Sequence, residues 1–163
     1  MLNNYPLTVA LYQPCIPQNT GNIARSCAAF KIPLVLIKPL GFSLSDKHLR
    51  RAGLDYWPLV EIIIKDNFSS FIESVSPQQR IIGASSHGGI ALANMSFNKG
   101  DILLFGREDT GLPSEVRNRC DQITCIEMPG KTPQTIKGGV RSLNLSVACA
   151  VISYKAASSL HLF

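Results

Sequence analysis

Short runs of apolar residues alternate along this chain with segments whose apolar positions recur every three to four residues. TVALY (8–12), PLVLI (33–37), LVEIII (59–64), RIIGAS (80–85), DILLFG (101–106) and QITCIEM (122–128) are predicted strands. They are rich in Val, Ile and Leu and mostly continuous rather than alternating, the pattern of strands covered on both faces. Helices are predicted near 20–30, 45–53, 67–75 and 113–119, with a long last one near 142–157. This order predicts an α/β domain: a mainly parallel sheet with helices on both faces. No linker, repeat or low-complexity segment divides residues 1–163, so a single domain is expected. Residues 130–140, GKTPQTIKGGV, form the one true loop run.

The first predicted helix raises a question. In PQNTGNIARSCAAF (17–30), Ile23, Cys27 and Phe30 define a buried face, and Asn19 or Thr20 is placed to cap the N-terminus. Arg25 then falls in the first turn or two, where a cation opposes the helix dipole by about 0.3–1 kcal/mol. A bound anion would resolve the mismatch.

Composition narrows the setting. The 163 residues are 45% hydrophobic and 17% charged, which fits a folded globular protein and excludes a disordered one. No apolar run is long enough for a membrane span, and the N-terminal residues lack signal-peptide features, so a soluble cytoplasmic protein is expected. Five cysteines in no CxxC or Cys/His spacing read as reduced, packed thiols, and the three histidines form no metal set. Sixteen Lys and Arg against eleven Asp and Glu give a net charge of +5. The excess gathers in DKHLRRAG (46–53) and after Met128, where Lys131, Lys137, Arg141 and Lys155 meet no acid. Such a balance suits a polyanion such as nucleic acid, or simply a soluble basic surface.

Ligands in open parallel sheets bind beyond the carboxyl ends of the strands. Three predicted strand ends carry turns with glycine: GASSHGG (83–89), FGREDTGLP (105–113) and IEMPGKTP (126–133). The glycine-rich first turn of a dinucleotide site is absent, as are a P-loop and a GxSxG nucleophile elbow.

PQNTGNIARSCAAF, FGREDTGLP and RSLNLSVACAVISY (141–154) resemble, in order and spacing, the three motifs of the SPOUT superfamily of RNA methyltransferases. GFSLSDKHLRRAGLDYW (41–57) is similar to the small single-domain branch that methylates the 2′-hydroxyl of the tRNA wobble nucleotide, and the likeness spans essentially the whole chain. The resemblance implies a deep trefoil knot near the C-terminus, S-adenosylmethionine bound in a bent form by the knotted loops, and a homodimer with sites built across the interface. It implies cofactor contacts at Ala84, Gly106, Ile126 and Ser142, with the bare Gly106 letting backbone approach the adenosine and Ser142 opening the last helix. Glu108 is expected to fix the loop or the neighbouring helix, and Asn144 to hold the knot loops or the partner chain by side-chain hydrogen bonds. Arg25 matches the catalytic arginine, as phosphate anchor, alkoxide stabiliser or base. Asn19 either orients ribose or phosphate or caps the helix. Lys47, Arg50 and Arg51 are candidate contacts to the backbone of the anticodon stem-loop. No metal is needed, because a sulfonium supplies its own electrophile. Glu127 and the delayed Pro129 depart from the usual Ile-Pro-Met.

The expected activity is methylation of the wobble ribose, at position 34 on cytidine or modified uridine. The alternatives are the same chemistry on another tRNA or ribosomal RNA ribose, and a catalytically idle RNA-binding dimer. The last helix is apolar on nearly every side, which a second subunit would explain.

Overall fold

The computed structural model describes residues 2, 5–44, 56–129, 140 and 142–163. The predicted helix at 45–53, with Lys47, Arg50 and Arg51, lies outside them, as does nearly all of the 130–140 loop.

Seven strands form one sheet: β1 (Leu7–Tyr12), β2 (Leu34–Ile37), β3 (Ile62–Lys65), β4 (Ile81–Ala84), β5 (Ile90–Ala91), β6 (Asp101–Phe105) and β7 (Gln122–Cys125). Their order is β3-β2-β1-β6-β4-β7-β5, and every pairing is parallel. All six residues of β1 are buried, as the continuous apolar run requires of a central strand. Successive side chains serve opposite faces. Leu7, Val9 and Leu11 join one core cluster, and Ala10 and Tyr12 join the other.

Helices cover both clusters. On the first face lie α1 (Pro17–Phe30), through Ile23, Ala24 and Cys27, and the last helix, through Cys149, Ile152 and Ala156. On the second lie α2 (Phe68–Ile72), through Phe71, and α3 (Ser114–Arg117), through Val116. The last helix, α4, runs Leu145–Ser159 and packs against α1.

Several boundaries differ from the sequence reading. Helix α1 begins three residues early because Pro17 supplies a pre-set φ at its first turn, with Ile16 as N-cap and no side-chain cap. Asn19 and Thr20 therefore lie inside the helix and cap nothing. Arg25 falls in its third turn, beyond the reach of the N-terminal dipole, so the dipole mismatch does not exist. Helix α4 starts at Leu145 rather than 142, because Asn144 caps it by accepting from the Ser146 N–H at 2.8 Å. Ser142 lies before the helix and does not open it. The predicted strand at 59–64 is cut short by a single 3-10 turn over Trp57–Leu59. β5 is an edge strand too short for any periodicity to betray.

The five cysteines are all free; Cys27 and Cys149 are buried, and Cys15, Cys120 and Cys125 only partly so. Burial pushes the Cys149 thiol up to about 12 and, with Asp121 beside it, the Cys120 thiol to about 11. No helix among the described residues is long and apolar enough to cross a membrane.

Candidate active site

The sheet order decides where the chemistry can sit. β4 lies between β6 and β7, so the three turns singled out in the sequence leave adjacent strand ends. Together with the chain entering α4 they wall a cleft of about 290 Å³. The β4 end contributes Ala84 to His87, the β6 end Phe105 to Gly111, and the β7 end Ile126 and Met128. Ser142, Leu143, Leu145, Ala148 and Ile152 close it from the α4 side. All four expected cofactor positions, Ala84, Gly106, Ile126 and Ser142, therefore meet in one place. The floor is apolar (Phe105, Ile126, Ile152) and polar groups stand at the rim, a lining suited to a nucleoside-sized ligand. Glu127 is exposed and absent from the lining.

Gly106 has a reason other than ligand approach. A Cβ there would stand 2.2 Å from the Gly111 carbonyl carbon and 2.3 Å from the Leu112 nitrogen. The turn folds back on itself, with Arg107 and Gly111 exchanging backbone hydrogen bonds at 3.2 and 3.0 Å and Gly111 at φ 70°. What excludes a side chain at Gly106 is the protein's own backbone.

That turn aims Glu108 at the start of α1. Its carboxylate accepts from the Cys15 N–H at 2.9 Å, the Cys15 thiol at 3.0 Å, the Ile16 N–H at 3.1 Å and Asn19 Nδ2 at 3.3 Å. Asn144 Nδ2 in turn donates to Asn19 Oδ1 at 3.0 Å. One polar chain thus joins a residue from each of the three motifs. Burial pushes the Glu108 carboxyl up, but the donations from Cys15, Ile16 and its own N–H outweigh it, and the group is held below the usual range. Burial, and then the carboxylate beside it, push the Cys15 thiol up. At the rim Arg107 and Asp109 pair at 2.9 Å.

An anion of the chain itself, Glu108, thus stands at the start of the helix. Asn19 is 6% exposed, with its carbonyl and amide both engaged within this polar chain.

Arg25 does not line the cleft of its own chain. It stands on the exposed side of α1, its guanidinium carbon 4.6 Å from the centre of the Tyr56 ring, with no carboxylate partner among the described residues.

A model of the SpoU rRNA Methylase family matches residues 6–154. The chain belongs to that family. Among its relatives, the tRNA (cytidine(34)-2′-O)-methyltransferase of Aeromonas hydrophila subsp. hydrophila is 42% identical over 149 residues, 91% of each chain. A solved structure described as giving insights into the 2-OH methylation of C/U34 on tRNA superposes with a TM-score of 0.87 at 46% identity. That match covers 96% of this chain and 97% of the other. The SpoU methyltransferase AviRb from Streptomyces viridochromogenes, solved with the cofactor AdoMet, shares the fold: its TM-score is 0.81 at 21% identity, over 95% of this chain and 61% of that one.

Two contacts to the expected site residues of this SpoU-family chain were missed in the sequence. Cys15 read only as a packed thiol, since nothing local links it to a carboxylate 93 residues away. Tyr56 lies in the quoted GFSLSDKHLRRAGLDYW phrase, but no spacing rule pairs it with Arg25. Among the described residues no group of three or more His, Cys, Asp or Glu is placed to hold a metal ion.

Proposed function

We propose that this chain transfers a methyl group from S-adenosylmethionine to the ribose 2′-hydroxyl of the tRNA wobble nucleotide, position 34, on cytidine or modified uridine. The observation that carries the reading is the convergence of Ala84, Gly106, Ile126 and Ser142 on one cleft. It is joined by full-length likeness to relatives named for that reaction.

The cleft suits the cofactor: an apolar floor for adenine, the β4 and β7 ends beside it, and Ser142 at the rim. When bound, S-adenosylmethionine supplies an electrophilic methyl carbon. The chain's own work is positioning and charge. Arg25 anchors a phosphate of the target nucleotide and steadies the negative charge that develops on its 2′-oxygen, which a permanently protonated guanidinium does more readily than it takes a proton. Glu108, Asn19 and Asn144 fix the start of α1 against the cleft wall. Lys47, Arg50 and Arg51 meet phosphates of the anticodon stem-loop.

The acting unit in this reading is a cytoplasmic homodimer of single-domain chains, each carrying the C-terminal trefoil knot of the superfamily. Two features support the dimer. Val147, Val151 and Tyr154 on α4 are 48%, 41% and 56% exposed, and Arg25 stands outside its own cleft, where a partner's cleft could use it. Sedimentation giving a stable monomer at micromolar concentration would overturn the dimer. Mass-spectrometric mapping of ribose methylation, in tRNA from cells with and without the gene, tests the activity. The expected result is loss of a 2′-O-methyl mark at position 34; retention of every wobble mark defeats the assignment.

A further inference from the structure

We infer that Tyr56 is the positioning residue for Arg25, holding the guanidinium in orientation without taking any of its hydrogen bonds; the inference rests on the function proposed above. An arginine on an exposed helix face ordinarily samples many rotamers, and ordering it costs side-chain entropy. A carboxylate partner would order it but would occupy its donors and offset its charge. An aromatic face does the first without the second. The ring attracts the cation through its quadrupole, at 4.6 Å here, and that attraction uses none of the five N–H donors of a guanidinium. The fork stays open to a phosphate or a developing alkoxide.

Tyr56 is carried by an anchored turn. Tyr56 begins the 3-10 turn over Trp57–Leu59, its carbonyl accepting from the Leu59 N–H at 2.8 Å. Trp57 packs against the main core cluster, and this turn lies against α1. A core-anchored turn thus presents an aromatic face to the one cation that the first motif provides. The paired cations illustrate the contrast: Lys38, Arg80 and Arg107 each face an aspartate.

The test compares Tyr56→Leu and Tyr56→Phe in the full-length protein, each checked for folding by thermal melt. Rates are measured on tRNA under saturating S-adenosylmethionine, in the wild-type and Arg25→Ala backgrounds. Tyr56→Leu is expected to lower kcat by about threefold to thirtyfold, the rate equivalent of a cation–π contact. Its KM for tRNA should move less, Tyr56→Phe should stay near wild type, and Tyr56→Leu should cost nothing further without Arg25. Full kcat in Tyr56→Leu, Phe as harmful as Leu, or an equal loss in the Arg25→Ala background would each overturn the inference. A loss confined to KM would also overturn it, since the ring would then be meeting RNA directly. The Arg25 side-chain Nε–H resonance gives a readout that needs no activity. Ring-current displacement in wild type, lost in Tyr56→Leu and kept in Tyr56→Phe, supports the contact even if wobble methylation itself were absent; an unchanged resonance in Tyr56→Leu counts against it.

Discussion

Asn19 and Arg25 lie six residues apart in one motif and one helix, and the fold treats them in opposite ways. At the start of α1 the Asn19 side chain and the two backbone amides just before the helix are engaged. Glu108 collects two backbone amides, a thiol and the Asn19 amide, and Asn144 closes the chain of bonds. Two turns on, Arg25 is exposed and rests on a ring rather than a carboxylate. The first arrangement fixes a helix against a cleft wall, and the second keeps a cation available. Under the proposed function, a motif that reads as one unit divides into a structural half and a chemical half.

The largest break in that comparison should come from Arg25→Ala. Loss of a group that stabilises developing charge should lower the methylation rate about a hundredfold to a thousandfold, with S-adenosylmethionine affinity by calorimetry and thermal stability nearly unchanged. A small rate effect would move Arg25 out of the chemical half. Gly106→Ala attacks the other half by displacing the turn that delivers Glu108. Its Cβ would meet backbone at 2.2 Å, so urea unfolding should give a loss of about 1–3 kcal/mol, together with weaker cofactor binding.

Glu108→Gln sharpens the same side with a pH signature. Because the folded carboxyl is held below its ordinary 4.5, its stabilising contribution is complete above about that pH. It is lost as pH falls through the lower folded value. The amide variant should be destabilised near neutrality by about 1.5–3 kcal/mol, the worth of a hydrogen bond to a charged acceptor, and its acid unfolding curve should be flatter. Coincident acid profiles for variant and wild type would deny the carboxylate this part. The smallest effect is expected from Arg50→Ala, which should weaken tRNA binding modestly and reduce its salt slope by about one. An unchanged slope removes Arg50 from the phosphate contacts.

Much of the frame was legible because it depends on local pattern. Continuous Val/Ile/Leu runs announced strands buried on both faces, and β1, β2, β4 and β6 carry them almost unchanged. The glycine-bearing turns were also legible, and they do share one cleft. Capping was misread at both long helices because the competing signal was stronger than the one chosen: Pro17 over Asn19 and Thr20, and Asn144 over Ser142. At Gly106 the folded turn adds a reason that the sequence does not show, since only the turn reveals what occupies the missing side chain's space.

The sequence by itself determined the α/β class, the apolar faces of the helices and the three segments that matter, because periodicity and motif spacing are properties of neighbours along the chain. The tertiary structure alone decided that β4 lies between β6 and β7, and so that the three turns meet. It alone decided that the anion at the start of α1 is Glu108 and that Arg25 is held by Tyr56. Those contacts join residues far apart in the chain, and no local propensity encodes which distant group a carboxylate or a guanidinium will find.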